Sequence, residues 1–140
     1  LIAFMGLVIA AIRLRRRTDW HRRLQYCGMS LLLGPAFGRL LPMPLLKPLA
    51  FEATFAAVMI FPLVGMWADL RRTGAVHPAW KWGIGVMIGS LILTEAITYS
   101  PVGTALYDAV TSGSPGANIA PLEFPAPPEG PLVTGRTAAN

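Results

Sequence analysis

Residues 80–99 of this chain, WKWGIGVMIGSLILTEAITY, hold one cation and one carboxylate in twenty positions. Two further stretches are as apolar: 24–41 (LQYCGMSLLLGPAFGRLL), with Arg39 as its one charge, and 49–68 (LAFEATFAAVMIFPLVGMWA), with Glu52 as its one charge. About 20 apolar residues in a row is the length an α-helix needs to cross a hydrocarbon core of ~30 Å. The runs are apolar on all sides rather than striped, which suits burial among lipid and neighbouring helices. Composition agrees with that reading. Apolar residues make up 54% and charged residues 14%, against about a quarter charged in ordinary soluble domains, and mean hydropathy is +0.52. A soluble chain of 140 residues leaves much of itself outside any core and needs more polar surface than this one has.

A shorter apolar stretch, 1–12, would rise only about 18 Å as a helix. Basic charge follows it, whereas in a signal peptide the charge comes first, so it reads as the end of a helix that starts before Leu1. The expected fold is an all-α transmembrane bundle of about four helices, at 1–12, 24–41, 49–68 and 80–99. Together these form one domain over 1–99, followed by a Pro-rich tail over 100–140. Pro35 and Pro62 fall inside the second and third helices, where kinks rather than breaks are expected because membrane helices tolerate proline.

The connections orient the bundle. RLRRRTDWHRR, between the first two runs, and DLRRTGAVHPAWK, between the last two, together carry nine cations, among them Arg13, Arg15, Arg16, Arg17, Arg22, Arg23, Arg71, Arg72 and Lys81. The other connection and the tail carry Lys47 and Arg136 alone. Lys and Arg accumulate on the cytoplasmic side, so the two arginine-rich connections are expected there and the tail outside. Trp20, Trp67, Trp80 and Trp82 gather at the same ends, where an interfacial aromatic belt belongs. The net charge of +5 is thereby accounted for. No basic and aromatic residues interleave across a polar face as single-strand binding requires, so nucleic acid is not expected as a partner. In the tail, Val102, Ala105, Leu106, Ala109 and Val110 follow helical spacing, which predicts a short amphipathic helix over 102–111 on the outer surface. The following SGSPGA and PLEFPAPPEGP read as turn and extended, partly disordered chain.

Three ionisable residues fall at membrane depth. Arg39, Glu52 and Glu95 each lie roughly 20–25 Å from the arginine-rich ends at 1.5 Å per residue. Unpaired charge is costly there, which predicts an Arg39–Glu52 ion pair that Glu95 joins or faces while protonated. Such a cluster serves either as a structural clamp or as a proton or solute site. Gly34 and Gly38, and Gly85 and Gly89, form two G-x-x-x-G pairs that allow close helix approach, within the bundle or in a homodimer or against another membrane subunit. His21, His77 and Asp69 lie at the arginine-rich ends. Two histidines on separate helices are the donor set of an axially ligated haem b, or with Asp69 of a metal site. The other reading of these residues is juxtamembrane capping, with Thr18 or Asp19 capping the second helix and Pro78 opening the fourth. No cofactor or metal is predicted. Cys27, the one cysteine, reads as a small hydrophobe. No nucleophile elbow, P-loop or H-E-x-x-H is present, so nothing argues for an enzyme.

The stretch DWHRRLQYCGMSLLLGPAFGRLL, followed by ADLRRTGAVHP, resembles a group of uncharacterised small bacterial inner-membrane proteins. In those, H-x-R-L opens one helix, P-A-x-x-R-L closes it, and H-P opens another. His21, Arg23, Leu24, Pro35, Ala36, Arg39, Leu40, His77 and Pro78 match, while Gln25 stands where the group often has methionine. The likeness covers about residues 15–98 and implies a bacterial inner-membrane location and further helices before Leu1. It brings no activity, ligand or catalytic residue.

Overall fold

The computed structural model describes residues 1–46 and 48–123, and within them every regular element is helical. The chain divides into two compact units, Leu1–Ile97 and Thr98–Asn140. In the first, α1 (Ile2–Arg13), α2 (Thr18–Leu31), α3 (Gly34–Leu40), α4 (Ala50–Thr73) and α5 (Pro78–Thr98) follow in order, with a 3₁₀ turn at Met43–Leu45 before α4.

Two of these helices, α4 and α5, are long and apolar enough to cross a membrane. Their 24 and 21 residues rise about 36 and 32 Å. A helix at the centre of a soluble protein would be mostly buried. Here only 17% and 11% of the most apolar stretches of α4 and α5 are buried against the rest of the chain. Ile60, Val64, Ile92 and Leu93 each stay more than half exposed. Leaving such side chains in water forfeits about 1.5–3 kcal/mol apiece relative to burial, which favours lipid or another protein as their neighbour.

The expected continuous helix over 24–41 is not formed. α2 begins earlier, at Thr18, and stops at Leu31. The chain then tightens through Leu32 and Leu33, whose N–H groups donate to Met29 O and Ser30 O. It restarts as the seven-residue α3, with Pro35 in the first turn. Proline has no N–H to return to the carbonyl four residues back, and the first turn of a helix is where that loss costs nothing. With Gly34 beside it, whose helix propensity is poor, the chain breaks rather than bends. Pro62 has the opposite outcome: it is fully buried and α4 runs through it. A second correction concerns capping. Arg17 is the residue before α2, no side chain caps that end, and Asp19 sits in the first turn, where a carboxylate suits the helix dipole.

The core of the first unit is a narrow seam. Leu7 and Ala11 of α1 meet Leu24 and Cys27 of α2, with Val58 and Met59 of α4 and Ala79, Trp80 and Met87 of α5 completing it. The glycines that permit close approach are not those of the G-x-x-x-G pairs. A Cβ on Gly83 would lie 2.6 Å from Cys27 Sγ, and one on Gly65 would lie 2.5 Å from the Trp80 ring. A Cβ on Gly34, Gly85 or Gly89 would meet nothing within 4 Å, and one on Gly38 only the end of Met43 at 3.9 Å. α4 ends at Gly74, whose φ of 74° is the left-handed conformation that closes helices.

The second unit holds α6 (Pro101–Thr111) and a 3₁₀ turn at Pro115–Asn118. Ser100 Oγ accepts from Gly103 N–H and Pro101 occupies the first turn, a matched helix start. Tyr107 reaches across the following turn, its hydroxyl 3.3 Å from Gly116 O and 3.2 Å from Ile119 O. PLEFPAPPEGP lies, from Phe124 on, outside the described residues.

Candidate functional site

The polar chemistry of the first unit concentrates where α2 and α5 begin and α4 ends. Because α2 starts at Thr18, the segment DWHRR is helical and Arg23 is carried into the seam, where it is 9% exposed. α4 likewise continues past its apolar run, so Asp69 sits in its last turns. Arg23 Nε donates to Asp69 Oδ2 at 2.8 Å and Nη2 donates to Oδ1 at 2.9 Å, a bidentate fork. Asp69 Oδ2 also accepts from the Trp80 indole at 3.1 Å. The remaining nitrogen, Arg23 Nη1, donates to Asp19 O at 2.8 Å and lies 3.3 Å from Asp19 Oδ1. One guanidinium thus ties α2 to α4 and, through Asp69, to α5. It also brings the two arginine-rich connections to one end of the unit.

The histidines extend this end. His21 Nδ1 lies 2.8 Å from Ala11 O; a carbonyl oxygen only accepts, so Nδ1 donates, and a neutral ring keeps its lone pair on Nε2. His77 Nδ1 accepts from Ala79 N–H at 3.1 Å, which caps α5 and leaves the neutral ring's proton on Nε2. Its ring stands edge-on to Trp20, with centroids 5.7 Å apart. Iron or another metal needs a lone pair from each histidine, and His77 offers its own to the start of α5. Among the described residues, no three His, Cys, Asp or Glu side chains are grouped to hold a metal ion. Asp69 is committed to Arg23 and Trp80.

An open groove of about 390 Å³ lies along this end, lined by Arg22, Tyr26, Val64, Gly65, Arg72 and Trp80 together with the Arg23–Asp69 pair. Tyr26 and Trp80 meet edge to face with centroids 5.8 Å apart. Arg71 is turned elsewhere, its guanidinium 5.1 Å from the centre of the Trp67 ring.

The three charges expected at membrane depth are not brought together by ion pairing. Among the described residues the ion pairs are Arg22–Asp19, Arg23–Asp19 and Arg23–Asp69, so the Arg39–Glu52 pair is not made. Arg39 is exposed on α3, and Glu52 and Glu95 are half-buried at the far ends of α4 and α5. The Arg23–Asp69–Trp80 link was missed in the sequence, although a signal for it exists. Asp19 and Asp69 are the only carboxylates in the two arginine-rich connections, so each is the natural partner of an arginine.

No protein-family model, curated protein or solved structure matches the chain.

Proposed function

We propose that this chain is the helical bundle of a multi-pass protein of a bacterial inner membrane, non-enzymatic, with its arginine-rich connections in the cytoplasm and its tail outside. The Arg23–Asp69–Trp80 link carries the reading. It gathers the α1–α2 and α4–α5 connections at one end, as the positive-inside rule requires of a chain that crosses back and forth. The outward apolar faces of α4 and α5 support it as well. On this reading α2 and α3 together make one crossing, interrupted at Leu32 and Leu33; such interruptions are tolerated in a bilayer where protein covers them. α1 contributes part of another. The polar network then acts structurally, keeping three helix ends in register while lipid surrounds the rest.

The test is topological. A tag after Asn140 is expected to be accessible from outside intact cells, and the chain is expected to stay with membranes washed in alkaline carbonate. Release by the wash, or a tag accessible only after the membrane is opened, defeats the proposal.

A further inference from the structure

We infer that the groove between α2 and α4 seats an anionic glycerophospholipid, its phosphate taken by Arg22 and Arg72 and its acyl chain laid along Tyr26, Gly65 and Val64. The inference rests on the membrane reading above and adds a ligand to it.

The charge balance of the groove selects its ligand. Arg23 has each of its nitrogens engaged by Asp69 and Asp19, and Asp69 is satisfied by Arg23 and Trp80. Neither is available to a ligand. Arg22 is two-thirds exposed and has only an exposed contact with Asp19 at 3.5 Å, the kind of pair that solvent screens heavily. Arg72 is exposed and joins none of the ion pairs among the described residues. Two cations with unspent hydrogen-bonding capacity therefore line one concavity, and guanidinium groups bind phosphate in a bidentate manner.

The shape of the groove points to a lipid. On α4, Val64, Ala68 and Arg72 are spaced four apart, and on α2 Arg22 and Tyr26 are spaced four apart, so each helix presents one face with arginine at the basic end and apolar groups beyond. Val64 lies about 12 Å along α4 from Arg72, room for a glycerol backbone and the upper part of an acyl chain. Gly65 and Ala68 keep that face shallow, and the Trp80 ring lies against Gly65. A fully hydrated anion has no use for such an apolar extension.

The experiment uses the full chain in phosphatidylcholine nanodiscs doped with phosphatidylglycerol, with bound lipid read by native mass spectrometry after release. The wild type is expected to retain phosphatidylglycerol over phosphatidylcholine. The R22Q/R72Q variant is expected to lose about thirtyfold of that preference, the effect of two cations at a membrane surface. The R15Q/R16Q variant removes equal charge from outside the groove and is expected to keep the preference. Equal losses in the two variants, or none in R22Q/R72Q, overturn the inference. Displacement of the lipid by soluble glycerol phosphate at comparable concentration also overturns it, in favour of a free phosphate ester. A chain that resists the alkaline wash yet shows no lipid preference overturns this inference alone; a chain released by the wash overturns the membrane reading beneath it.

Discussion

The two ends of the helical unit both carry charged residues and treat them in opposite ways. At the basic end every buried polar group has a partner. Arg23, Asp69 and Trp80 bond one another, His77 caps α5, His21 bonds the end of α1, and Gly83 and Gly65 let Cys27 and Trp80 press against neighbouring backbone. At the far end, about 26 Å along α4 from Asp69 to Glu52 and about 22 Å along α5 from Trp80 to Glu95, Arg39, Glu52 and Glu95 form no ion pair among the described residues. Gly85 and Gly89, on the way to that end along α5, face open space. The contrast teaches that residue type alone does not make a packing motif or an ion pair. A glycine becomes a contact point, or a carboxylate an anchor, only where the chain's path brings a second helix within reach.

The sharpest way to break the comparison is to attack the link itself. Arg23→Ala or Asp69→Ala leaves the opposite charge largely buried without its partner, and such a loss costs about 3–5 kcal/mol. A large drop in thermal unfolding temperature in mild detergent is the expected result. Replacing both partners by apolar residues, as in R23M/D69L, is expected to recover much of the loss, because no uncompensated charge remains. Full stability in both single variants would show that the basic end is not the anchored one.

The glycines test the same contrast on a smaller scale. Gly83→Ala forces a Cβ to within 2.6 Å of Cys27 Sγ and 3.1 Å of its Cβ, and overpacking of this kind costs about 1–3 kcal/mol. Cys27→Ala in the same chain relieves the first contact and leaves the second, so rescue is expected to be partial. Gly85→Ala, two residues along, meets nothing and is expected to stabilise the chain by up to about 1 kcal/mol, because alanine is the better helix former. Equal costs at the two positions would remove the distinction between the faces of α5.

The smallest effect is expected at the far end. Glu95→Gln is expected to leave the unfolding temperature unchanged within ~0.5 kcal/mol, since no ion pair is lost. A clear destabilisation would reveal a clamp at this end too. A change in proton flux at unaltered folded yield would give the end the solute-handling role that its three charges also suit.

Much of the helical character was legible residue by residue. The runs over 49–68 and 80–99 required nothing but their own composition, and α4 and α5 occupy them. Pro35 was the point of failure. Proline permits a kink, a break or a first-turn position, and which of these occurs depends on the residues beside it and on whether the helix is packed across it. Within this chain the G-x-x-x-G pairs carry no close helix contact, for a related reason. The motif describes one helix surface and carries no information about whether another helix lies over it.

Sequence alone determined that the chain is helical over 49–68 and 80–99 and that cations gather in two connections; that the run over 24–41 splits, leaving two helices long and apolar enough to cross a bilayer, came from the structure. The first two properties follow from hydropathy and backbone geometry, which are local. Only the tertiary structure decided that Arg23 selects Asp69 rather than Asp19 for its bidentate pair, that Asp69 serves Trp80 as well, and that Gly65 and Gly83 carry the close contacts. Each of those outcomes joins residues far apart in the chain, and a pairing at that distance is set by how three helix ends meet.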